Sequence, residues 1–110
     1  MLVVGSTRFF WTLSHRHDPC REVVRLRRDG SPGCLLAVFT TGQGHYVADG
    51  LLHVGAVQHA DGRGLNLNQP GAVRALLDAA LDRGWSSESA GPYELDGWAL
   101  FDSVADPPTT

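Results

Sequence analysis

Four Asp-Gly pairs, at 29–30, 49–50, 61–62 and 96–97, punctuate this chain. A type I′ hairpin turn needs positive φ at both central residues, which Asp-Gly supplies, so each pair is a turn signal. Between the pairs lie short β-rich runs: Arg8–His17, Glu22–Arg28, Cys34–Thr40, His45–Ala48, Leu51–Gln58 and Arg63–Leu67. Strands joined by turns this short must run antiparallel. The pattern predicts an antiparallel β-meander.

One segment breaks the pattern. From Asn68 or Gln69 to Gly84 the apolar residues Val73, Leu76, Leu77, Ala80 and Leu81 recur at helical spacing, one stripe of an amphipathic helix. Pro70 falls in the first turn, where its missing N–H is harmless, and Gly84 is a stop signal. Arg74, Asp78 and Asp82 occupy the opposite face. Burying each Val or Leu is worth roughly 1.5–3 kcal/mol, whereas a spaced ion pair on a helix adds about 0.2–0.5 kcal/mol. Packing decides, so a helix at about 69–83 is expected to lie on the sheet, with Trp85 folding back over the same core. The Tyr93–Phe101 run reads as a last strand or short hairpin. The predicted class is therefore α+β: a meander sheet with one amphipathic helix packed on it.

At 110 residues the chain suits one domain with one core, here residues 1–106, followed by a disordered tail at 107–110. No apolar run approaches the ~18 residues of a membrane span, and the first residues do not read as a signal peptide. With two cysteines, Cys20 and Cys34, read as free thiols, the expectation is a soluble, cytoplasmic protein. All nine basic residues are arginine, and the formal net charge is −3. Residues 1–28 hold six arginines against two acids, a net of +4, while residues 29–110 hold three against ten, a net of −7. An acidic total argues mildly against nucleic acid as the main ligand.

The segment Pro70-Gly-Ala-Val-Arg-Ala-Leu-Leu-Asp-Ala-Ala-Leu-Asp-Arg-Gly-Trp85, with Phe9-Phe10-Trp11-Thr12-Leu13 before it, resembles a pattern in small uncharacterised bacterial proteins. There an aromatic-x-W-x-V/L strand precedes a P-x-x-V-x-x-x-L-x-x-A-L-x-x-G-W helix. The likeness covers about a third of the chain and consists of core and cap positions. It implies a fold and no activity.

Five histidines are present, and two of them, His15 and His17, stand two apart on a predicted strand, where both imidazoles would share a face. Glu22 would enter the next strand beside them. Imidazoles with a carboxylate suit Zn, Fe, Mn or Ni. The H-x-H-x4-E spacing is similar to the first metal motif of cupins, which implies His15, His17 and Glu22 as ligands, with His59 as a fourth. The second cupin motif is absent, since Gly55-Ala-Val-Gln precedes His59. Cys20 beside these histidines has the makings of a nucleophile, but no oxyanion hole is evident, and a free thiol is the simpler reading. Cys34 reads as core. The Gly42/Gly44 loop opens no helix, so it is a hairpin loop and not a phosphate cradle.

The arginines at 16, 21, 25, 27 and 28 form the other candidate surface. Arg25 and Arg27 share one strand face, with Phe9, Phe10 and Trp11 nearby as aromatic residues for base stacking. No complete catalytic set appears in the sequence. The leading expectation is a non-enzymatic binding or accessory protein, of immunity-like or adaptor type, with no cofactor. It would act through a protein–protein surface on an acidic protein or a second copy of itself. The alternatives are a small metal-binding protein at the His15/His17 turn, and a nucleic-acid binder using the arginine-rich strands.

Overall fold

The computed structural model describes residues 2–16, 20–42, 44–47, 55–86 and 91–104. Strands β1 (Leu2–Val4), β2 (Thr7–Arg16), β3 (Arg21–Arg28) and β4 (Cys34–Thr40) come first, then β5 (His45–Tyr46), β6 (Ala56–His59) and β7 (Gly64–Asn66). Helix α1 (Pro70–Asp82), strand β8 (Pro92–Asp96) and helix α2 (Gly97–Val104) complete the chain. The α+β class holds.

Where the sequence suggests one antiparallel meander with one helix, the strands form two sheets and a second helix is present. Sheet A has the order β1-β2-β3-β4-β8 and sheet B the order β5-β6-β7. β1 to β4 pair antiparallel in chain order, but β8 joins β4 in parallel. A parallel neighbour needs a long crossover, and here the intervening chain includes sheet B and α1. The Tyr93–Phe101 run is thus half strand and half helix.

The Asp-Gly pairs explain part of this difference. Gly30 (φ 82°) and Gly62 (φ 98°) sit in turns with the left-handed backbone that glycine adopts freely; the 49–50 pair lies outside the described residues. The 96–97 pair serves another purpose. Asp96 Oδ1 accepts the backbone N–H of Trp98 at 3.0 Å, which caps the start of α2. Gly97 is needed for space: a Cβ there would lie 2.6 Å from Cδ2 and Cε2 of the Phe39 ring.

Helix α1 starts at Pro70 and stops in a left-handed turn at Gly84. The N–H of Gly84 donates to Leu81 O and that of Trp85 to Ala80 O, the paired bonds of a Schellman end. Val73, Leu76, Leu77 and Ala80 are fully buried, and Trp85 is buried just past the stop. Leu81, expected on the same stripe, is 37% exposed, and Ala79 is buried in its place.

The inward residues of sheet A alternate with outward ones, as the pleat requires. Phe9, Val24, Leu26, Leu35, Ala37 and Phe39 face in, with Trp11 and Leu13 packed against them. Val47, Val57 and Leu67 from the sheet B region join the same core, as do the α1 stripe and Trp98, Leu100 and Phe101 of α2. Trp98 stands edge-on to Phe39, with ring centroids 5.3 Å apart, and its Nε1 donates to Thr40 O at 2.8 Å.

Substituting Gly97→Ala therefore forces a methyl group into the Phe39 ring and is expected to cost about 1–3 kcal/mol, in line with overpacked cores. Gly71→Ala, at a helix position with nothing within 4 Å, is expected to be neutral or stabilising by up to about 1 kcal/mol. Urea unfolding of both variants measures the contrast, and equal midpoints would refute the packing argument.

Candidate interaction face and the buried histidine–glutamate pair

The two faces of sheet A differ in kind. Because His15 is in register with Glu22, and Glu22 with Phe39, these three form the last inward row of the sheet. Glu22 is 0% exposed, the one buried charged residue among those described. Its Oε1 meets Nδ1 of His15 in a short hydrogen bond, and the His15 side chain is 11% exposed. Glu22 Oε2 has no hydrogen-bond partner among the described residues. A carboxylate removed from water is costly unless it is paired, so His15 is the group that makes Glu22 tolerable at this position.

The geometry brings together His15 and Glu22 from the residues expected to bind metal. His17 lies outside the described residues. His59 is engaged elsewhere. It faces His45 across the β5–β6 ladder, with ring centroids 5.2 Å apart. Its Nδ1 accepts the backbone N–H of Asp61 at 3.1 Å. Among the described residues, no group of three or more His, Cys, Asp or Glu side chains is arranged to hold a metal ion. Since Nδ1 of His15 faces Glu22, a metal could be taken only at Nε2. Glu22 would then orient the imidazole, as carboxylates behind metal-binding histidines do.

The His45–His59 pair belongs to an aromatic stack that the sequence did not signal. His45 lies flat on Trp98, with centroids 4.3 Å apart and planes 9° apart. Arg63 sits over Phe101 at 5.1 Å and bridges Asp61 and Asp102 at 2.8 and 3.0 Å. The backbone N–H of Arg63 is the main cause holding the Asp61 carboxyl below its usual pKa. These contacts tie the β6–β7 turn to α2 and read as structural.

The outward face is different in composition. Its column on β3 is Arg21, Val23, Arg25 and Arg27; on β4 it is Cys34, Leu36 and Val38. The register sets Arg25 beside Thr12 on one side and Leu36 on the other, with Glu94 of β8 next to Leu36. Side chains from β2, β3, β4 and β8 alone line a trough of about 620 Å³ here. Phe10, 40% exposed, lies on this face with the Arg27 guanidinium 5.4 Å from its ring centroid.

Two expectations need correction. Trp11 does not share the Arg25/Arg27 face: it pairs with Leu26 and packs inward, so the stacking ring beside the arginines is Phe10. Strand parity is the reason, since adjacent residues point to opposite faces. Cys34 is buried, as expected of a core residue, but on the outward face with Leu36. Both cysteines are free thiols, and Cys20 O accepts the N–H and hydroxyl of Thr41 at 3.3 and 3.2 Å.

No family model matches this chain, and neither does any curated protein or solved structure. No helix among the described residues is long and apolar enough to cross a membrane.

The buried pair yields a direct test. His15→Ala leaves the Glu22 carboxylate buried without the imidazole and is expected to destabilise by about 3–5 kcal/mol. Adding Glu22→Leu removes the stranded charge and should recover most of that loss in urea unfolding. Similar midpoints for wild type and His15→Ala would show that the pair does not hold the charge.

Proposed function

We propose that this protein is a non-enzymatic binding or accessory protein, of adaptor or immunity-like type, whose working surface is the outward face of sheet A. One observation carries the reading: a five-stranded sheet packs its inward face into the core while its outward face sets an arginine column beside a half-buried apolar stripe. Apolar surface flanked by charge suits protein recognition, where the apolar centre supplies affinity and the charged rim supplies register and on-rate. Arginine is the residue best fitted to carboxylates, which it binds in paired hydrogen bonds. The partner that fits is the acidic surface of another protein.

A photo-crosslinking residue at Thr12, which is exposed beside Arg25, tests this in living cells. The expected result is an adduct with an acidic protein that disappears in the Arg25→Glu/Arg27→Glu variant. Adducts that survive the charge reversal, or that form equally from a crosslinker at Asp78 on the exposed side of α1, would overturn it.

A second reading keeps one supporting observation, the buried His15–Glu22 pair with its unpartnered oxygen. On that reading the turn holds a divalent metal (Zn, Fe, Mn or Ni) through His15. Untagged protein would then carry about one equivalent of metal and lose it in a His15→Ala/His17→Ala variant. Protein without metal after growth and dialysis in each of these ions would remove this reading. A nucleic-acid role for the same arginines predicts affinity falling steeply with salt.

A further inference from the structure

The outward face is not uniformly basic. Crossing it from β3 to β8 passes from Arg25 over Leu36 to Glu94, all in one register row. Arg25 and Glu94 are exposed and Leu36 is half-buried. In the next row Val23 and Val38 continue the apolar stripe beside Asp96, so the Arg25 row is the one that sets a basic residue opposite an acidic one. Basic, apolar and acidic columns therefore run side by side along the strands. Arg25 and Glu94 stand two strand spacings apart, about 9.6 Å, with an apolar side chain between them.

Such a surface is complementary to itself under one operation only. Two sheets can meet face to face about a two-fold axis lying between them. With the axis across the strands, β3 of one copy would cover β3 of the other, setting arginine against arginine. With the axis along β4, the β4 stripes meet, β3 covers β8, and Arg25 of each copy lies over Glu94 of its mate. Like charges brought together across an interface cost several kcal/mol, so charge selects the second axis.

We propose that a second copy of this chain occupies this face, in a symmetric dimer whose axis runs along β4. The inference rests on the reading of this face as the working surface, and it adds a control: self-pairing covers the arginine column, so an acidic partner must displace the second copy to bind. The three strands that overlap about this axis, β3, β4 and β8, are about six residues long and present roughly 300 Å² per copy, less than a standard specific interface, so the dimer is weak and depends on concentration.

Sedimentation equilibrium of the full chain tests this from about 1 to 500 μM, a range set around the micromolar affinity that a small interface allows. The weight-average mass is expected to rise from 11.9 kDa toward twice that value. Glu94→Arg and Arg25→Glu should each weaken association at least about tenfold. The Arg25→Glu/Glu94→Arg swap should restore it, because the opposite charges still meet across the axis. Circular dichroism and urea midpoints confirm that each variant folds, which both exposed positions allow. A mass fixed at 11.9 kDa throughout, or single variants that associate as well as wild type, would overturn the dimer.

Failure here is separable from failure of the proposed function. Thr12 adducts with an acidic protein in the wild-type chain, lost on Arg25→Glu/Arg27→Glu, sustain the acidic partner whether or not the mass rises with concentration. Charge-dependent self-association without an acidic adduct sustains the dimer alone.

Discussion

The structure depends on the commitment of sheet A to a single covered face. The inward apolar positions from Phe9 to Phe39 contribute to one core with both helices and the sheet B region, and that core is what defines the opposite face as a surface. Once the helices and sheet B region lie on one side, the strands' alternation decides everything on the other. Arg21, Arg25 and Arg27 lie on the same strand as Val24 and Leu26, and only the pleat separates charge from core.

Within that core, Glu22 departs from the rule, since an apolar residue would be expected at the end of the inward face. A buried carboxylate is weak evidence for stability, and a hydrophobic residue would fill this position at lower cost. Its pairing with His15 across the β2–β3 ladder favours one register of the two strands, since a slip by one residue would put the two side chains on opposite faces. Buried polar pairs elsewhere serve the same specifying role.

The sequence made some of this legible. Helix α1 was readable because three signals agree: helical spacing of leucines, a proline at its start and a glycine at its end. The strands β2, β3 and β4 were readable from their alternation. Strand β1 was not anticipated, although the Gly5-Ser6 pair that turns it into β2 is a recognised hairpin signal. Helix α2 was misread as strand because eight residues are too few for periodicity to separate the two, and because Asp96-Gly97 has the composition of a turn. What that glycine answers to is an aromatic ring far away in sequence, which no local pattern records. For the same reason the His45–Trp98 stack and the place of His59 could not be read: both depend on how sheet B meets α2. The Arg25/Arg27 face could be read, and with it the inward direction of Trp11, had strand parity been applied to every aromatic.

The parallel β8 strand has a consequence for how the molecule is made. Its ladder joins Cys34 to Pro92, and the Trp98 indole reaches Thr40 from 58 residues further along the chain. During synthesis the β1–β4 hairpins can form early, from neighbouring residues, but β4 then presents an open edge until β8, about fifty residues further on, has left the ribosome. Such edges are templates for pairing with foreign strands, and late, long-range closure is slow. A nascent chain of this protein is thus most vulnerable to aggregation in the interval between the emergence of Thr40 and the arrival of Pro92.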